Sequence, residues 1–228
     1  MEFLVTTTTQ VPVGTLGATV TGLQAGNAEC WHDLAAHGHL VRLWHPARPL
    51  NVWRTIGLFD AQDDDQLRKL LGSTPLHAWQ THDVTTLFEH PNDPAHTGLT
   101  STHIQRSEFL IAAAVAIPEG TAQRVVVDAR AREAKRSREL AEQGRLKRLW
   151  SVRGLPGRPP VLGLWGAADA ADIAATVESL PMHDWMSFDT TQLASHPGDP
   201  ASSRSSIGPP PTSHGRRDES WTRAEADQ

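Results

Sequence analysis

The chain has 228 residues, a formal net charge of −5 and a single cysteine. The negative charge argues against general polyanion binding, and one cysteine cannot form an intramolecular disulfide, which fits a reducing compartment. Neither an apolar stretch long enough to span a membrane nor a secretory signal is evident, so we expect a soluble cytoplasmic protein that binds neither membrane nor nucleic acid.

The sequence contains the same unit twice. "EFLV" begins at Glu2 and "EFLI" begins at Glu108, an offset of 108 − 2 = 106 residues. At this offset 32 of 95 aligned positions are identical without a gap, whereas unrelated sequences would share about one position in seventeen. Such self-similarity indicates a tandem duplication.

The first unit predicts six elements in chain order: a strand, a helix, two strands, a short helix and a last strand. The expected ranges are 2–11, about 17–37, 39–46, 53–60, 63–72 and 77–88. Gly38 marks the end of the first helix, and the acidic residues at 63–65 suit the N-terminus of the second.

The second unit repeats this βαββαβ order. We therefore predict an α+β fold of two tandem ferredoxin-like domains, 1–95 and 107–201, each with helices on one face of an antiparallel sheet. We expect the two domains to pack as an intramolecular pseudo-dimer of the dimeric α/β-barrel type. A polar linker is expected over 96–106, and the Ser/Pro-rich segment 202–228 has the composition of a disordered tail.

Several motifs occur in an order that resembles the muconolactone delta-isomerase family. They are the "EFLV" start, the stretch "RAREAKRSRELAEQGRLKRLW", and the "SLPMHDW" and "HP" ending. The resemblance implies a ferredoxin-like fold that forms oligomers. It also implies cofactor-free isomerisation of muconolactone to 3-oxoadipate enol-lactone, a step of aromatic catabolism through catechol and the β-ketoadipate pathway.

Such a reaction needs a base that also acts as an acid, donors for a lactone oxyanion, and a cation for the substrate carboxylate. Glu133 is the expected base, because helical spacing places it on an otherwise apolar or small face with Val126, Ala129, Ser137 and Leu140. A carboxylate there would be partly desolvated. The alternative is a glutamate at the helix edge that pairs with a neighbouring arginine.

Arg132 and Arg148 are candidates for binding the carboxylate or the oxyanion, and Arg42 joins them because both repeats keep an arginine beside a tryptophan. These arginines could instead be ordinary helix surface or strand support. Trp44 and Trp150 are candidate walls of a lactone pocket, with core packing as the alternative.

The first unit lacks the expected base, since Asn27 replaces Glu133. We therefore expect the second unit to carry the site. The twelve histidines do not form a recognisable metal motif, and His90 and His196 suit turns in the two "HP-DP" segments. Two other functions remain open: a non-catalytic ligand-binding or assembly protein on this fold, and a different ferredoxin-like enzyme such as a monooxygenase or dehalogenase.

Overall fold

The computed structural model describes residues 1–47, 53–97, 106–152 and 160–204. The first unit contains β1 (Glu2–Thr9), α1 (Gly17–Ala36), β2 (Leu40–Pro46), β3 (Trp53–Asp60), α2 (Asp64–Gly72) and β4 (Gln80–Glu89). The second contains β5 (Ser107–Val115), α3 (Gln123–Glu142), β6 (Leu146–Val152), β7 (Val161–Ala167), α4 (Ala170–Glu178), β8 (Met186–Ser195) and α5 (Pro200–Arg204). None of the helices within these ranges has the length and apolar character needed to span a membrane.

The eight strands form one closed barrel in the order β1-β3-β2-β8-β5-β7-β6-β4, and β4 returns to β1. Each unit supplies four consecutive strands, and the two sheets join through the antiparallel pairs β2–β8 and β4–β6. The predicted fold class is confirmed: two ferredoxin-like units form one α/β barrel as an intramolecular pseudo-dimer.

Side-chain alternation along the strands divides the apolar residues between the two faces of the sheet. On β1, Phe3 and Val5 belong to the cluster under α1 and α2, whereas Leu4 belongs to a cluster shared by both units. That shared cluster fills the barrel and includes Trp44 and Trp150, which are 1% and 2% exposed. The second unit has an equivalent cluster under α3 and α4.

The predicted elements are present, with three differences in extent. Strand β1 ends at Thr9, two residues before the end of its predicted range. The predicted strand over 77–88 begins with a 3-10 turn, His77–Trp79, and pairs only from Gln80 onward. Helix α5 extends past position 201, where a disordered tail was expected to begin. Most of the predicted linker, residues 98–105, and positions 205–228 of the tail lie outside the described residues.

A group of charged side chains from both units lies at one end of the barrel. Glu108 receives two hydrogen bonds from Arg42, at 2.6 and 3.0 Å, one from Lys147 at 2.6 Å and one from the Trp44 indole at 2.6 Å. Arg42 also donates to Asp199, which is 1% exposed. Because Arg42 belongs to the first unit and both carboxylates to the second, this cluster ties the units together.

The pseudo-symmetric cluster repeats the pattern with the units exchanged. Arg148 donates to Glu2 at 2.6 and 2.8 Å and to Asp93 at 3.1 Å, and the Trp150 indole donates to Glu2 at 2.7 Å. Both guanidinium groups stack on their tryptophans, 4.7 and 4.8 Å from the ring centroids. The residues that the duplication preserves most clearly therefore connect one unit to the other.

Substitution of Glu108 tests how much these clusters stabilise the barrel. Arg42 and Lys147 outweigh burial and lower the pKa of Glu108 to about 2. We expect Glu108→Gln to lower the free energy of unfolding at pH 7 by about 2–3 kcal/mol, because it leaves two cations without their shared anion. A depressed carboxyl pKa stabilises the fold above the unfolded value, so the loss relative to wild type should shrink as pH falls from about 4.5 towards 2.

Urea denaturation at pH 7 and pH 3 measures this effect. Glu2→Gln is the matched control, because among the described residues Glu2 has an ion pair only with Arg148 and should lose less. Equal losses in the two variants, or a loss for Glu108→Gln that does not depend on pH, would contradict the assignment.

Candidate active site

A cavity of about 480 Å³ lies between α3 and the outer face of the second unit's sheet. We call it the α3 cavity. Its walls are mainly apolar and include Ile111, Leu149, Val161, Trp165, Val177, Leu180, Met186 and Phe188. Gly163 also lines the cavity, and its lack of a side chain leaves room for the indole of Trp165, which a Cβ at this position would overlap. The volume and the apolar lining suit a small organic ligand.

Glu133 lies on the wall of this cavity, on the helix face that its spacing predicts. Its Oε2 accepts a hydrogen bond from the backbone N–H of Met182 at 3.0 Å. Within the described ranges no hydrogen bond or ion pair involves its other carboxylate oxygen. Burial raises the pKa of Glu133, and the single hydrogen bond from Met182 opposes this only in part. The group is thus a carboxylate held in an apolar environment without a paired cation.

The first unit contributes the segment 90–92 to the same cavity. The backbone N–H of Asn92 donates to Nδ1 of His90 at 3.1 Å. Because Nδ1 accepts this bond, the proton of the neutral ring lies on Nε2, which is then a donor. Burial lowers the pKa of His90, with a smaller opposite effect from Asp93, so the neutral form is favoured. The predicted turn role of His90 is present, but its position in the cavity was not predicted.

The arginine on the cavity wall is Arg130, not Arg132. Arg132 is 58% exposed and donates to Asp128 at 3.1 Å, one turn back along the surface of α3. Arg130 lies three residues before Glu133 and therefore on the same side of the helix. In the part of the chain that the structure describes, no ion pair or hydrogen bond involves Arg130. Arg130 is thus part of the described cavity lining and Arg132 is not, and the predicted role of Arg132 in binding substrate remains untested.

Four further predicted substrate-binding residues lie elsewhere. Arg42, Arg148, Trp44 and Trp150 belong to the two charged clusters and the barrel interior, and none of them lines the α3 cavity or the cavity of similar size in the first unit. Their cationic and indole N–H groups are already bound to carboxylates of the protein. A direct role in binding substrate remains an untested prediction for all four.

The first unit has a cavity of similar size, about 440 Å³, between α1 and its own part of the sheet. We call it the α1 cavity. Asn27 lies at the position of Glu133, and His196 of the second unit lies at the position of His90. No aspartate or glutamate is among the described residues that line it, so this cavity has no carboxylate base. Across the described residues as a whole, no group of three or more His, Cys, Asp or Glu side chains could hold a metal ion.

Comparisons with solved structures relate the barrel to several proteins. Chlorite dismutase from Candidatus Nitrospira defluvii in complex with imidazole is 10% identical, with a TM-score of 0.55 over 85% of this chain and 91% of that chain. A heme-binding protein from Thermus thermophilus is 10% identical, with a TM-score of 0.53 over 90% and 95% of the two chains. At these identities the likeness shows the fold alone.

A crystal structure of muconolactone isomerase is 27% identical over 40% of this chain and 92% of that chain, with a TM-score of 0.35. A search among curated proteins found no significant match. The model of the muconolactone delta-isomerase family matches residues 1–93 and again residues 107–199, which are the two repeats. The chain therefore belongs to the muconolactone delta-isomerase family, with two copies of the family's unit in one polypeptide.

Proposed function

We propose that the protein isomerises an unsaturated lactone carboxylate, muconolactone to 3-oxoadipate enol-lactone, in aromatic catabolism. The observation that carries this proposal is Glu133, a half-buried carboxylate on the wall of an apolar cavity that forms no ion pair within the described residues. Desolvation makes a carboxylate a stronger base and brings its pKa closer to that of a catalyst working near neutral pH.

The reaction moves one carbon–carbon double bond and needs no other reactant. The carboxylate of Glu133 removes the proton from the ring carbon that bears the acetate group, and a dienolate forms with its charge on the lactone carbonyl oxygen. The same carboxyl group then returns the proton to the carbon beside the carbonyl. The double bond shifts by one position, and Glu133 is regenerated as a carboxylate.

The Met182 N–H supports this double use of Glu133. It holds one oxygen at 3.0 Å and leaves the other available for the proton. One backbone donor fixes the orientation of the carboxyl group without lowering its pKa as far as an arginine partner would. The base is therefore positioned and still retains its basicity.

His90 is suited to stabilise the dienolate. Its neutral ring presents an Nε2–H donor, and a neutral donor can bind a developing oxyanion without transferring a full proton to it. His90 comes from the first unit, so the site is complete only when the barrel is closed.

Arg130 is suited to bind the free carboxylate of the substrate. It lies on the cavity wall on an exposed part of α3, where a guanidinium group can pair with a carboxylate in a bidentate manner. The charged end of the substrate would then remain near solvent while the lactone ring enters the apolar interior.

Heme binding, suggested by the structural neighbour from Thermus thermophilus, does not fit the α3 cavity. A histidine that ligates iron through Nε2 needs a lone pair there and usually donates a hydrogen bond through Nδ1. His90 has the opposite arrangement, because its Nδ1 accepts from the Asn92 backbone. We therefore derive no chemistry through a heme group.

Replacing the base tests the proposal directly. Glu133→Gln should reduce kcat with muconolactone by about a hundredfold or more, since the amide cannot take up the proton. Its thermal stability at pH 7.5 should equal or exceed that of the wild type, because the variant no longer buries a carboxylate. Turnover unchanged in this variant would reject Glu133 as the base, and a folded wild type without turnover would reject the substrate.

The pH dependence of the wild type gives a second test. Only the ionised form of Glu133 can act as the base, and burial raises its pKa. We expect kcat/KM to rise with pH through an inflection above the usual value for a glutamate. An inflection at or below the usual pKa of a glutamate would mean that the base is not desolvated, and it would contradict this site.

A pair of arginine variants distinguishes the two neighbouring candidates for the carboxylate anchor. Arg130→Met should raise KM about tenfold or more, because it removes a charge-assisted contact. Arg132→Met should leave KM nearly unchanged, since its side chain pairs with Asp128 on the surface. Steady-state kinetics of both variants decides between them, and the reverse result would restore the prediction from the sequence.

A further inference from the structure

The polar lining of the α1 cavity sets it apart from the site described above. Where the α3 cavity has Val115, Met186 and Glu133, the α1 cavity has Thr9, Gln80 and Asn27 at the equivalent positions. Its volume of about 440 Å³ is within the range of small-molecule sites. The first unit has therefore kept an open cavity while its hydrogen-bonding groups have changed.

Two buried polar atoms near this cavity have no partner within the described part of the chain. Asn27 is only 7% exposed, and its Oδ1 accepts no hydrogen bond. The Nε2 of His82 is likewise buried without a partner, although its Nδ1 lies 2.9 Å from the Thr7 hydroxyl. Buried polar groups in folded proteins nearly always have hydrogen-bond partners, so two buried atoms without a partner need an explanation.

Pseudo-symmetry relates Asn27 and His82 to two residues of the second unit that line one cavity. The equivalents of Asn27 and His82 are Glu133 and Phe188, and both line the α3 cavity. In the β1–β4 register, the pair Thr7–His82 lies two positions from the pair Thr9–Gln80, on the same face of the sheet, and Thr9 and Gln80 line the α1 cavity. Asn27 on α1 therefore lines the α1 cavity, whereas His82 on β4 lies close to residues that line it without being part of the lining.

Arg54 gives the α1 cavity a cationic side, which favours an anionic ligand. Arg54, His45 and His196 line it, and the described lining includes no acidic residue. The two histidine rings lie 6.2 Å apart between centroids, one from each unit. Trp31 and Trp53 add flat apolar surfaces. The lining therefore offers a cation, an apolar wall and the polar side chain of Asn27.

We propose that the α1 cavity is a second, non-catalytic binding site for a small carboxylate that has an apolar body and a hydroxyl group. The carboxylate pairs with Arg54 beside His45 and His196, the apolar body packs against Trp31 and Trp53, and the hydroxyl group forms a hydrogen bond with the Asn27 side chain. The described lining has an amide where the α3 cavity has the Glu133 carboxylate, so we expect the ligand to be bound and not isomerised. This proposal does not depend on isomerase activity in the α3 cavity.

Calorimetric titration of the full chain tests the proposal with 4-hydroxybenzoate, which has these three features. Benzoate lacks the hydroxyl and 4-hydroxybenzamide lacks the charge, so both should bind at least about tenfold more weakly. Arg54→Met should weaken the binding of 4-hydroxybenzoate by a similar factor. Asn27→Leu should remove the advantage of 4-hydroxybenzoate over benzoate.

The matched control is Arg130→Met, which removes the cation from the α3 cavity and should leave this affinity unchanged. Binding that is lost in Arg130→Met and retained in Arg54→Met would place the probe in the α3 cavity and overturn the proposal. Absence of binding to the folded wild type at millimolar probe would overturn it as well. Muconolactone turnover is measured separately, so failure of the isomerase proposal would be distinguishable from failure of this one.

Discussion

Closure of the barrel is the constraint on which the rest of this structure depends. The first unit alone would leave β2 and β4 as open strand edges and would expose its inner sheet face, which contains Trp44. The second unit alone would leave β6 and β8 open and would expose Trp150. Open edges and large apolar faces are prone to unwanted association. The pairs β2–β8 and β4–β6 remove both problems together, because joining the edges also buries the two inner faces against each other. Fusing two copies in one chain makes this closure intramolecular.

Closure also builds the cavities, through the aspartates that follow β4 and β8. Asp93 accepts hydrogen bonds from Arg148 and from the backbone of Leu149, so the segment that carries His90 is held against the opposite unit. Asp199 does the same for the segment that carries His196. The charged clusters therefore have an indirect use in the site: they hold each histidine in a cavity that belongs to the other unit. This explains why both repeats keep these arginines even though neither lines a cavity.

The sequence was sufficient for the fold because the fold depends on patterns that occur twice. The repeat, the strand alternation and the helical face of Glu133 are all local or periodic signals. The site was only partly predictable. Arg130 and Arg132 are both basic residues on one helix; the i−3 spacing from Glu133 already placed Arg130 on the side of Glu133, and the packing of α3 on the sheet shows that this side faces the cavity. The place of His90 depends on contacts between units that are distant in sequence, and no local pattern reports those contacts.

In a dimer of identical chains the two cavities would be identical. Fusion of the two units in one chain allows the cavities to differ. A partly desolvated carboxylate with a raised pKa lowers the stability of the fold at neutral pH, and a symmetric dimer would contain two of them. Here the first unit has an amide at that position, and only the second retains the carboxylate. The charged clusters are also asymmetric. Lys147 donates a hydrogen bond to Glu108, whereas the residue equivalent to Lys147 in the first unit is the apolar Val41. One closed barrel can therefore support chemistry in one cavity and recognition in the other, because the interactions that close it do not require the cavities to match.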